Sequence, residues 1–120
     1  MPFDQSNVDA LLPLPPATLH ILMALTDGER HGYAIIQDVA ERTGGDLRLG
    51  PGTLYRSLHR MLGQGLIVEA VRRPARALDD ERRRYYRITP FGKAVARAEA
   101  ARLVVLVRLA RAQGLTPESR

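Results

Sequence analysis

The chain has 120 residues, 45% of them hydrophobic, which is enough for one packed domain and too little for two. It holds no cysteine, which excludes disulfide frameworks, zinc–cysteine centres and thiol nucleophiles together. The formal charge of +5 is uneven: residues 1–46 set two arginines against seven acids, residues 47–93 eleven cations against four acids, and residues 94–120 five arginines against two acids.

Residues 1–14 read as a loose N-terminal arm. Pro13, Pro15 and Pro16 then precede an apolar run, and proline is tolerated in a first helical turn, so a helix is expected from Pro16 or Ala17. Leu19, Ile21, Leu22, Met23 and Leu25 give it a broad apolar face, and Asp27-Gly28 stops it. A second helix is expected from Gly32 or Tyr33, with Tyr33, Ile36, Val39 and Ala40 at helical spacing and Gly44-Gly45 at its end. A third runs from Pro51 to Leu62. Leu54, Leu58, Met61 and Leu62 share one face, and the opposite face carries Gly52, Thr53, Arg56, His59 and Arg60.

Leu66 to Val71 and Arg83 to Thr89 read as two short strands joined by a solvated loop. Thr89-Pro90 is a helix start, a capping threonine followed by proline at the first helical position. The last helix extends to about Gln113, with Gly114 as its stop and residues 115–120 as a tail. The expected fold is therefore mainly α with a two-stranded β-wing: a winged helix-turn-helix domain over residues 15–89, then a C-terminal helix over 90–114.

In winged helix-turn-helix modules the third helix enters the major groove and the hairpin lies along the backbone or a minor groove. The residue types here suit both tasks. Arg56 and Arg60 present forked guanidinium groups that can bind guanine edges or phosphates, and Thr53, Tyr55 and His59 add hydrogen bonds. Arg72, Arg73 and Arg76 in the loop, with Arg82, Arg83 and Arg84 at the second strand, are placed to track phosphates. Two arginines one turn apart are by themselves an ordinary solvated face; the arginine-rich hairpin beside them tips the reading toward double-stranded DNA. A coding bias toward arginine would account for seventeen Arg against one Lys, but not for an acidic first third.

The C-terminal helix carries Phe91, Val95, Ala98, Arg102, Val105, Leu109 and Ala112 at steps of four and three, one coiled-coil seam. Leu103, Leu106, Val107 and Ala110 form a second apolar face. A terminal helix on a small domain buries one face on its own chain, so the other calls for a partner, and a symmetric homodimer supplies one. Val95, Ala98, Arg102, Leu103, Val105, Leu106 and Leu109 are the expected dimer residues.

His31-Gly32-Tyr33-Ala34-Ile35, Gly52 to Met61 (GTLYRSLHRM), Gly65-Leu66-Ile67 and Arg84 to Thr89 (RYYRIT) with Gly92 resemble, in order and spacing, the PadR family of transcriptional regulators. The resemblance spans about Leu19 to Leu109. It implies a winged-helix domain with a dimerising C-terminal helix that binds operator DNA, usually as a repressor, with Thr53, Tyr55 and Arg56 at the DNA face. It implies that the His-Gly-Tyr motif serves the start and packing of the second helix. The single C-terminal helix resembles the smaller members. Some members take phenolic or drug-like effectors in an apolar space between subunits. Here such a small apolar or aromatic effector would lie among Leu103 to Val107 and the first helix, without the tryptophan that lines the drug-binding members' space, since the chain has none.

Other classes find less support. Asp79-Asp80-Glu81 reads as a solvated loop rather than a metal site, and His20, His31 and His59 have no ligand spacing, so neither metal nor cofactor is expected. No paired carboxylates, nucleophile triad, phosphate-cradling loop or dinucleotide fingerprint points to an enzyme. A winged-helix module that binds protein instead of DNA is the alternative, and its mark would be an apolar or acidic third-helix face. No run nears the roughly 18 apolar residues of a membrane span, and MPFDQSNVD has no basic or apolar leader, so a cytoplasmic protein without membrane contact is expected.

Overall fold

The computed structural model of the chain describes residues 3–70 and 84–117. Among the described residues eight elements follow in order: α1 (Gln5–Asp9), α2 (Pro16–Ala24), β1 (Arg30–His31), α3 (Gly32–Arg42), α4 (Pro51–Gly63), β2 (Ile67–Ala70), β3 (Tyr85–Ile88) and α5 (Pro90–Ala112). This is a mostly helical chain with one small antiparallel sheet. Among the described residues no helix is long and apolar enough to cross a membrane.

The described part of the N-terminal arm, residues 3–14, is not loose. Asp4 caps α1 by accepting the Ser6 N–H at 3.0 Å, Val8 is buried in the core, and Phe3 meets Phe91 of α5 edge to face with ring centroids 5.5 Å apart. A five-residue helix is too short to show periodicity, so a polar stretch with one valine reads as coil until its neighbours are known.

α2 starts at Pro16 and buries Ile21, Leu22 and Ala24 completely, while Met23 of the expected apolar face stays exposed. In α3 Val39 enters the core as expected and Ile36 packs against it; Ile35 joins them, whereas Tyr33 is 63% exposed. A tyrosine at the first turn of an amphipathic helix fits either side by polarity, and packing against α2 and α4 decides it. His31 caps α3, its Nδ1 accepting the Ala34 N–H at 3.2 Å. Beyond Arg42, the Thr43 hydroxyl donates to the Val39 carbonyl at 2.9 Å and accepts the Leu47 N–H at 3.0 Å. Gly44 and Gly45, at φ 62° and 89°, then turn the chain in the left-handed region that glycine favours.

The wing sheet has three strands in the order β1-β3-β2, not two. Arg30 and His31 pair with Tyr86 and Tyr85, and Ile67 to Ala70 pair with Ile88 to Tyr85. A two-residue strand carries no alternation pattern, so only pairing reveals β1. Of the expected strands Leu66–Val71 and Arg83–Thr89, Leu66, Arg84 and Thr89 lie outside β2 and β3, and Val71 and Arg83 lie outside the described residues. Tyr86 of β3 points into the core and Tyr85 does not, as alternation requires of neighbours on one strand. Burial raises the Tyr86 phenol above its ordinary range, aided by the Glu69 carboxylate.

α5 is fixed at its start. The Thr89 hydroxyl accepts the Gly92 N–H at 2.9 Å and donates to the Gly65 carbonyl at 2.6 Å, tying the helix to the end of α4. Gly92 packs so tightly on the Leu66 carbonyl that a Cβ could not fit there. Ala94 and Val95 complete the core with Ile88, Leu66 and the buried face of α2.

Candidate nucleic-acid interface

α4 divides cleanly by face. Leu54, Leu58 and Met61 are buried, which anchors the helix to α2, α3 and β2. Thr53, Tyr55, Arg56, His59 and Arg60 are all exposed. The helix contains no acidic residue, and its N-terminus has no side-chain cap, so the Gly52 and Thr53 N–H groups and the positive end of the helix dipole face outward. Arg56 Nη2 touches Thr53 Oγ1 at 3.5 Å, and among the described residues neither Arg56 nor Arg60 has a carboxylate within ion-pair distance.

Neighbouring arginines differ. Arg42 of α3 meets Asp38 at 2.6 Å and Asp27 at 2.7 Å, and these two carboxylates, Asp38 foremost, raise its guanidinium above the ordinary range. Arg30 pairs with Asp38 at 3.3 Å and donates to the Ala24 carbonyl at 2.7 Å. Arg87 pairs with Glu29 at 3.2 Å. The acids of the first third thus neutralise α3 and the sheet, and α4 is left positive.

In the wing, Arg84 pairs with Glu69 at 3.3 Å, both side chains largely exposed. A pair so hydrated holds an arginine weakly and leaves it exchangeable for a phosphate. Arg72, Arg73, Arg76, Arg82 and Arg83 lie outside the described residues, as do Asp79, Asp80 and Glu81. Among the described residues no group of His, Asp or Glu could hold a metal ion.

Two features escape a reading by residue type. Gly32 needs no unusual backbone angle. Its role is space: a Cβ there would stand 2.5 Å from the Tyr55 Oη, so the glycine lets Tyr55 lie back across the start of α3. The glycine in His31-Gly32-Tyr33 was the signal, but its partner is remote in sequence. Arg48, exposed and without a carboxylate partner among the described residues, lies beside Gly45 at the end of α3; a lone arginine in a loop gives no pattern to notice.

The expected dimer residues separate along α5. Val95 is 0% exposed within its own chain and is corrected from that set, because a core valine has no surface left for a partner. Ala98 packs against the same core. Arg102 holds Glu99, which is 3% exposed, through bonds of 2.7 and 3.0 Å. Arg102, and less so the Leu14 backbone, keep the Glu99 carboxyl below its ordinary range against the opposing effect of burial. Val105, Leu106 and Leu109 are exposed. A shallow groove beside them is lined by Leu103, Val104, Val107, Arg108 and Arg111 of α5, whereas of the apolar residues expected from the first helix at an effector space Ile21, Leu22 and Leu25 are in the core, Leu19 is partly buried against it and Met23 is exposed.

A helix-turn-helix pair α3–α4, followed by the antiparallel strands β2 and β3 of a small sheet, defines a winged-helix protein. Residues 21–98 match the Transcriptional regulator PadR-like family. The transcriptional regulator Rv3488 of Mycobacterium tuberculosis is 38% identical over 90 residues, 75% of this chain and 78% of that protein. A PadR family transcription regulator of Clostridium difficile has the same fold, with a TM-score of 0.72 at 24% identity over 85% of this chain and all of that one. Bacillus subtilis PadR in complex with operator DNA superposes with a TM-score of 0.60 at 23% identity, over 70% of this chain and 46% of that one. The chain belongs to the PadR-like family of transcriptional regulators, a family of regulators and not of enzymes.

Proposed function

We propose that this chain is a sequence-specific double-stranded DNA-binding repressor that acts in the cytoplasm as a homodimer. The observation that carries the reading is the acid-free outer face of α4, where Arg56 and Arg60 stand exposed and, among the described residues, without a carboxylate partner, while nearby arginines are neutralised. α4 enters the major groove, with Arg56 and Arg60 on guanine edges or phosphates and Thr53, Tyr55 and His59 beside them. Arg84 and the wing arginines track the backbone. The operator-bound Bacillus subtilis relative of the same fold supports this placement.

The dimer forms through the distal half of α5, where Val105, Leu106 and Leu109 lie open. Symmetry then sets the two copies of α4 on half-sites about 34 Å apart, one turn of the duplex. Repression follows when such a dimer covers a promoter.

Titration of a palindromic fragment from upstream of the gene, at two salt concentrations, tests the reading. Tight binding is expected at low salt, falling with a log–log slope of about −0.9 per phosphate neutralised. Arg56→Ala with Arg60→Ala removes the preference for that fragment, while Arg84→Ala weakens all duplexes alike. A folded dimer that shifts no duplex at low salt rejects the proposal.

A further inference from the structure

α5 carries a second positive surface that the proposed repressor does not use. Lys93, Arg97, Arg108 and Arg111 are all exposed, and among the described residues none has a carboxylate within ion-pair distance. At 100° per residue the four fall within an arc of about 60° and span about 27 Å along the helix. The only acid of α5 is Glu99, which lies on the other side of the helix, buried and held by Arg102. Among the described residues the stripe is therefore a row of cations without an acidic partner.

Its position follows from the packing. α5 presses its buried face against α2 and α1, and α2 in turn packs on α4. The stripe lies opposite that buried face, and the exposed face of α4 lies opposite its own. The stripe and the exposed face of α4 are therefore separate surfaces, on two helices that each pack on α2. The stripe does not suit a second copy of the chain, since two such rows brought together repel. Between Arg97 and Arg108 the surface is kept low by Ala100, Ala101 and Val104, which lets a phosphodiester strand lie close to the helix.

We propose that the outer face of α5, through Lys93, Arg97, Arg108 and Arg111, binds the phosphate backbone of a second DNA duplex, so that the dimer bridges two duplexes. The partner is read by charge alone, without sequence, because the row offers only cations and small or aliphatic residues. This goes beyond the repressor reading and rests on it for the first duplex.

Energy transfer between donor-labelled and acceptor-labelled copies of the upstream fragment tests the bridge, at one dimer per two duplexes. Anisotropy of one labelled copy reports simple binding alongside. The parent protein should give strong, salt-sensitive transfer. Replacing all four residues by glutamine, a good helix former, should leave anisotropy within twofold of the parent and reduce transfer at least tenfold. Lys93→Glu with Arg97→Glu provides a second variant should the fourfold change disturb folding. Transfer that survives both variants overturns the proposal, since each subunit would then be holding its own duplex through α4. So does a parent that binds one duplex but gives no transfer, the result expected if the stripe instead serves an acidic protein. Loss of anisotropy as well would mark failure of the repressor reading itself.

Discussion

The two halves of α5 are built from similar residues and meet opposite fates. From Pro90 to Glu99 the helix lies in the chain's own core, with Val95 fully buried and Gly92 pressed against the Leu66 carbonyl. From Val104 to Leu109 five of the six residues are aliphatic, and all six are exposed, Leu109 to 61%. The difference is one of supply. α1 and α2 are long enough to cover about three turns of α5, and nothing described in the chain covers the rest. Hydrophobicity along the helix therefore fits two separate tasks, holding one subunit together and, in the proposed dimer, meeting the other.

The largest effect expected is in the proximal half. Gly92→Ala places a methyl where the Leu66 carbonyl already sits, with Ile88 Cγ1 only 2.9 Å away. Backbone must move, so a loss of about 3 kcal/mol or more is expected. Thermal unfolding at fixed concentration would read it, and an unchanged midpoint would mean that α5 is not anchored at this point. Val95→Ala leaves a cavity in the same core at a cost of about 2 kcal/mol, and its effect should not depend on protein concentration.

The distal half should behave the other way. Leu106→Glu with Leu109→Glu removes apolar surface that supports no core, so the subunit keeps its fold. The dimer dissociation constant should rise more than tenfold, about 1.4 kcal/mol, measured by sedimentation equilibrium. A dimer indifferent to both changes places the contact elsewhere.

At the border stands Glu99, whose carboxyl is held below its ordinary range chiefly by Arg102. A depressed folded-state value means that the ion form stabilises the fold. That contribution is complete above the unfolded glutamate range, near pH 4.3, and is lost as pH falls through the lower folded value. Glu99→Gln should therefore be less stable than the parent at neutral pH, with the gap closing as the solution is acidified below about pH 4. Urea titrations at a series of pH values would show it. A gap that stays constant into strong acid would assign the loss to packing instead of charge.

Much of this molecule was readable from sequence, and the limits are physical. The ends of the long helices were legible because Thr89-Pro90, Gly44-Gly45 and Gly114 act through local backbone preferences. The outer face of α4 was legible because thirteen residues with Leu54, Leu58 and Met61 inward leave little freedom in phase. α1 and β1 were not, since five and two residues carry no period and exist through contacts with α5 and β3. Val95 was misplaced for a related reason: a seam at steps of four and three looks the same whether it faces its own chain or another. Pairing of Arg30 with Asp38, Arg87 with Glu29 and Arg84 with Glu69 was also hidden, because each partner is remote in sequence.

The smallest predicted effect is the most discriminating for the comparison. Val104 is half exposed, as Val105 is, yet at 100° per residue the two point in directions about a quarter-turn or more apart. Val105 continues the line of Ala98 and Arg102 toward Leu109, the proposed dimer seam. Val104 lies on the side of Arg97 and Arg108. Val104→Ala should leave both stability and the dimer constant within about 0.5 kcal/mol of the parent, as surface changes away from contacts do. Val105→Ala should weaken the dimer measurably at equal helix propensity change. Should the two valines exchange these roles in sedimentation equilibrium, the seam runs along the opposite side of α5, and the cationic stripe would then be buried between subunits where like charges repel.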